Sequence, residues 1–93
     1  MDSFSFLKSP NQVNKDLAQR IRSRRKEQKY SQEKSSKCSD VSLGSIKRFE
    51  TTGEISLTSL IKIAFALGLE GDFDQLFSKK SYSSIQEVID ERK

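Results

Sequence analysis

The stretch from Ser31 to Glu50 constrains this chain more than any other. It reads as two short helices joined by a tight turn. Ser31 suits the cap of the first helix and Ser42 that of the second, because a serine oxygen accepts one of the unpaired amides of an opening turn. Ser39, Asp40 and Val41, between them, are too few and too polar for anything but a turn, and Asp40 tolerates a left-handed backbone. In the second helix Ile46 and Phe49 share one face, whereas Leu43, Gly44, Lys47 and Arg48 fall away from it.

A helix that buries two apolar side chains while showing a small residue and two cations fits the major groove of DNA, so the pair reads as a helix-turn-helix. The charge distribution points the same way. Residues 1–48 carry twelve Lys or Arg against five Asp or Glu, while residues 49–93 carry five against eight, within a total of +4. The half holding the two-helix motif is therefore the half that attracts phosphate. Charge runs more often only solvate helix faces; their coincidence with the motif favours nucleic acid.

Several classes of function are disfavoured by composition. Ninety-three residues, 33% apolar and 32% charged, suffice for one small domain with a modest core and loosely held ends. One cysteine and no histidine leave no disulfide framework and make a structural zinc site unexpected. Without histidine, a second cysteine or a phosphate-cradling glycine loop, no catalytic constellation assembles, so neither an enzyme nor a cofactor is expected. No apolar run approaches membrane-spanning length and the start lacks a signal peptide's regions, so a soluble cytoplasmic protein is the expectation.

From the N-terminus, residues 1–10 read as an arm. Phe4 and Phe6 alternate as in a short strand, and with Leu7 they pack on the domain, pair with another copy or stay disordered. Ser9, Pro10 and Gln12 form a strong helix start, with Gln12 placed for a capping box. Val13, Leu17 and Ile21 recur every four residues beside Ala18, predicting a helix to about Gln28 with this stripe inward. Arg25 falls on the stripe's edge, which predicts a partly buried, paired arginine. Of the arginines off the stripe, Arg22 is assigned to the DNA backbone.

Tyr30 can staple the next helix start, and Gln32 sits where a phosphate would meet helix amides. Cys38 is that helix's only apolar residue and reads as a small core residue. Thr51 to Ile55 reads as a loop, with the Thr51 and Thr52 hydroxyls available to a phosphate. Ser56 caps a helix from Leu57 to Leu67 with Leu60, Ile61, Ala64 and Leu67 on one face and Phe65 nearby. Gly68 ends it left-handed, and Leu69 packs back. A fifth short helix opens at Asp72, with Phe73, Leu76 and Phe77 completing the core. Residues 78–93 read as a linker and a short amphipathic helix carrying Ile85, Val88 and Ile89, which folds back or docks on a partner.

The segment Leu17 to Arg25, the Ser31-Gln32-Glu33 start, Val41-Ser42 with Ile46 to Glu50, and Ser56-Leu57 with Ala66 to Leu69 together resemble the lambda-repressor-like, Xre-type DNA-binding domain. The resemblance covers roughly residues 11–77 and implies an all-α, five-helix fold with a short C-terminal helical tail. It implies that Gln32 touches a phosphate, that Leu43, Gly44 and Arg48 face base edges with Ser42, Ser45 and Lys47 beside them, and that residues 51–53 lie against the backbone. It also implies an interior ion pair between Arg25 and Glu50, such as costs little to keep and much to break.

Departures from the family pattern are Ser35 in place of leucine, Ser36 in place of alanine and Asp40 in place of glycine. They are expected to loosen the second helix without altering the fold. Gly44 offers no side chain, leaving direct readout to Leu43, Ser45, Lys47 and Arg48 and some specificity to DNA shape. Within the family, Val41 to Glu50, Gly53 to Leu57 and Asp72 to Phe77 are similar to small regulators encoded beside HipA-type kinase toxins. That likeness implies a HipB-like antitoxin and autorepressor: a homodimer on an inverted-repeat operator, with a HipA-type kinase as protein partner. A stand-alone phage-type or restriction-controller regulator shares every DNA-facing feature, and a protein-interaction module using residues 69–93 with weak DNA binding is the alternative from another class.

Overall fold

The computed structural model describes residues 8–80, and within them the chain is all-helical. Five helices follow one another: α1 (Pro10–Glu27), α2 (Gln32–Ser39), α3 (Leu43–Thr52), α4 (Leu57–Ala66) and α5 (Glu70–Gln75). Expectations for Phe4, Phe6 and Leu7, and for Ile85, Val88 and Ile89, lie outside the described residues. Among the described residues no helix is long and apolar enough to cross a membrane.

Serine starts four of the five helices. The Oγ atoms of Ser9, Ser31, Ser42 and Ser56 accept the amides of Gln12, Lys34, Ser45 and Ser59 at 2.9–3.1 Å. Each such cap stabilises its helix by about 1 kcal/mol relative to alanine. The helix stops are equally local. Asp40 takes the left-handed conformation (φ 60°) after α2, and Gly53 (φ 83°) does so after α3. After α4 the Gly68 amide donates to Phe65 and the Leu69 amide to Ala64, at 3.1 and 2.8 Å. That double bond pattern returns Leu69 to the core.

α1 packs on α3, α2 packs on both α3 and α4, and α5 closes on α4. Ala18, Ile21, Val41, Ile46, Phe49, Leu60, Ile63 and Leu67 form the core, with Leu17, Tyr30, Ile55, Leu69 and Phe73 against it. α1 and α3 approach closely at Gly53, where an added Cβ would lie 2.7 Å from the backbone carbon of Asn14.

Several expectations are corrected. Val13 is half exposed, because α1 rolls Ala18, Ile21 and Arg25 inward and leaves Val13 on its rim. Gln12 does not close a capping box; its side-chain amide donates to Asp16 at 2.9 Å, where the Lys8 ammonium also binds. These two donors hold the Asp16 carboxyl below its ordinary value. Cys38 is exposed, and α2 turns Ser35 and Ser39 inward instead. Ser36 has acquired a task, its hydroxyl donating to the Val41 carbonyl across the α2–α3 turn at 2.6 Å.

α4 buries Ile63, with Ile61 only half-buried and Phe65 exposed. α5 starts at Glu70 and ends at Gln75, too soon to carry Leu76 and Phe77 into the core. Both are exposed, and with Val13, Leu17, Leu57 and Phe73 they border an open apolar groove of about 410 Å³. Thr51 and Thr52 belong to α3 rather than to a loop.

Candidate nucleic-acid interface

α3 is anchored by Ile46 and Phe49, each 1% exposed, and by Val41 immediately before its cap. The opposite side is open. Ser42, Gly44, Ser45, Lys47 and Arg48 are exposed and Leu43 is half-buried, so a continuous polar and cationic strip runs along this helix. A Cβ at Gly44 would meet nothing within 4 Å among the described residues, which leaves the middle of the strip flat. Ser42 is turned onto the helix, capping it and donating to the Ser45 hydroxyl at 2.8 Å.

The orientation of α3 is set from behind by one carboxylate. Glu50 accepts from Nε and Nη2 of Arg25 at 2.7 and 2.9 Å, while Nη1 of Arg25 donates to the Tyr30 carbonyl at 2.7 Å. The side chains of Arg25 and Glu50 are 8% and 6% exposed, so this bidentate pair is withdrawn from water with each guanidinium nitrogen bonded. Gln32 adds a third bond to Glu50 at 3.1 Å. The C-terminal end of α1, the first turn of α2 and the last turns of α3 thus converge on one group. Burial of the arginine follows from its place four residues after Ile21.

The phosphate-facing expectations fare unevenly. Gln32 stands in the first turn of α2 as expected, yet one of its amide hydrogens is spent on Glu50. Arg22 is half exposed, and its Nε lies 3.8 Å from the same carboxylate, so it leans on the pair while its outer edge faces solvent. Thr51 and Thr52 donate their hydroxyl protons to the carbonyls of Lys47 and Arg48 at 2.9 and 2.8 Å. Those protons are committed to the helix end, as back-bonds from threonine to the carbonyl four residues earlier, rather than held out for a phosphate.

Two further residues contribute here without any signal in the sequence. Glu54 receives Nη2 of Arg48 at 2.5 Å beyond the end of α3. Its distance of six residues from Arg48, across a left-handed glycine, matches no helical spacing and gave no signal. Lys34 places its ammonium 4.3 Å from the centre of the Tyr30 ring, joining the α2 start to the staple residue. Among the described residues no group of three or more His, Cys, Asp or Glu side chains comes together as a metal site.

The described residues thus define an all-α domain with an exposed cationic helix steadied by a buried ion pair. Comparison with family models, with curated proteins and with solved structures finds no match to this chain.

Proposed function

We infer that this chain is a sequence-specific DNA-binding transcriptional repressor of the lambda-repressor-like, Xre type, acting as a homodimer on an inverted repeat. The observation that carries the reading is the disposition of α3: Ile46 and Phe49 face the core while Gly44, Ser45, Lys47 and Arg48 stand outward in the basic half of the chain. Such a helix presents donors to guanine and a flat segment for close approach to base edges. Two copies would read half-sites about 34 Å apart. The resemblance to regulators encoded beside HipA-type kinases extends the proposal to an antitoxin and autorepressor with a kinase partner.

A protein-interaction role is the second reading, favoured by the open apolar groove between α1, α4 and α5. Electrophoretic mobility shift with the DNA upstream of the protein's own coding region separates the two. A discrete shifted band that survives random competitor DNA is the expected result. No shift even at low salt, where phosphate contacts are strongest, overturns the repressor reading.

A further inference from the structure

The contact between Arg48 and Glu54 has a firmer foundation than most exposed ion pairs. Surface pairs usually join two independently mobile side chains and contribute little. Here the backbones that carry the partners are tied together. The Thr52 hydroxyl donates to the Arg48 carbonyl at 2.8 Å and accepts the Glu54 amide at 3.1 Å, bridging the two residues through one oxygen. Gly53, between Thr52 and Glu54, is wedged against Asn14 of α1 with no room for a Cβ. Glu54 is therefore held at a set place beside the end of α3, while the side chains of Arg48 and Glu54 remain 68% and 56% exposed.

The chemistry of the guanidinium makes this arrangement directional. Arginine offers five N–H donors in a planar fork, and reading guanine needs two adjacent ones aimed together at O6 and N7. A carboxylate on Nη2 restrains the fork at one nitrogen and leaves its other N–H groups for a second partner. One turn earlier, Gly44 adds no side chain to the same strip of α3. Lys47, the neighbouring cation, makes no ion pair among the described residues and has no fork to orient. It suits phosphate, where a point charge suffices.

We propose that Glu54 is a specificity-determining residue, a positioning carboxylate that aims the Arg48 fork at a guanine in the major groove. The proposal rests on the DNA-binding reading above and names what that site recognises. Glu54 acts in two opposed ways. Its charge repels phosphates and weakens binding to every sequence, while its hold on Arg48 favours the duplex with guanine in the right place. A carboxylate that merely competed with DNA for Arg48 would weaken both kinds of binding alike.

The test compares the full chain with its Glu54→Ala and Glu54→Gln variants on two probes: a duplex recovered by the wild-type protein from a random-sequence pool, and the unselected pool. In Glu54→Ala, affinity for the unselected pool is expected to rise roughly two- to threefold as a repelling charge is lost. Discrimination between the probes is expected to fall roughly tenfold. Glu54→Gln, which keeps an acceptor oxygen, is expected to retain part of it. In an Arg48→Ala background, Glu54→Ala is expected to leave discrimination where Arg48→Ala alone puts it. A wild type that discriminates, together with a Glu54→Ala variant whose discrimination is unchanged, overturns this proposal and spares the DNA-binding reading. A wild type that recovers no preferred duplex overturns both. Unchanged thermal unfolding of the Glu54 variants, expected for so exposed a pair, shows that folding is not what the probes report.

Discussion

Arg25 and Glu50, twenty-five residues apart, share two hydrogen bonds of 2.7 and 2.9 Å inside the protein. Desolvating both charges roughly offsets their attraction, so the pair adds little net stability while it stays intact. Removing one partner leaves the other buried and uncompensated. Arg25→Ala and Glu50→Ala are each expected to destabilise the domain by about 3–5 kcal/mol. The double replacement Arg25→Ala/Glu50→Ala is expected to cost less than the two single losses together. Chemical denaturation of the four proteins checks this, and additive losses would count against the pair as a coupled unit.

Ser35 illustrates a different economy. It is 1% exposed, and among the described residues its hydroxyl has no hydrogen-bond partner. An unpaired buried hydroxyl costs about 1–3 kcal/mol, and serine is a weaker helix former than alanine. Ser35→Ala should therefore stabilise the protein by about 1 kcal/mol, raising the unfolding midpoint by roughly 4–8 °C. A lower midpoint would mean that the hydroxyl finds a partner in solution.

Arg48 and Arg22 are expected to differ in what they contribute to DNA binding. Arg48 stands on the outer strip of α3, whereas Arg22 lies behind it, leaning on Glu50 with its outer edge free. Arg48→Ala should weaken a selected duplex by about 1–3 kcal/mol and random DNA much less. Arg22→Ala should weaken both alike and reduce the slope of log affinity against log salt by about one. Equal losses on both probes for Arg48→Ala would remove it from base readout. Titrations at several salt concentrations make the comparison.

Much of this architecture was legible because its signals are local. The serine caps, the left-handed Asp40 and the glycine stop after α4 act within a few residues of themselves, and sequence order is enough to see them. Arg25 was also legible, since four residues after Ile21 is one helical turn. What escaped depends on how helices roll against one another. Nothing in the α2 sequence states that Ser35 rather than Cys38 is buried, or that α4 buries Ile63 more deeply than Ile61. Leu76 and Phe77 looked like core residues because they are apolar, yet α5 ends before it can bring them inward. At the candidate site the strip on α3 followed from periodicity, whereas the Glu54 contact depends on a chain reversal at Gly53 that no spacing encodes.

Gly53 and Gly68 both follow helices in left-handed conformations, at φ 83° and 73°, so alanine at either position carries backbone strain of roughly 1–2 kcal/mol. Their surroundings differ. Among the described residues a Cβ at Gly68 meets nothing within 4 Å, whereas at Gly53 it would lie 2.7, 2.8 and 2.9 Å from the carbon, Cβ and oxygen of Asn14. Two of those atoms are backbone of α1 and yield only if the helix moves. Gly68→Ala should therefore lose about 1–2 kcal/mol, while Gly53→Ala loses that amount and the clash besides, on the order of 1–3 kcal/mol more. Because α1 carries Arg25, displacing it from Gly53 also strains the bonds to Glu50. Gly53→Ala is thus expected to weaken any DNA binding in a way that Gly68→Ala does not. Denaturation midpoints and mobility shifts on the two variants test this together; equal destabilisation would show that the close approach of α1 to Gly53 is not maintained in solution.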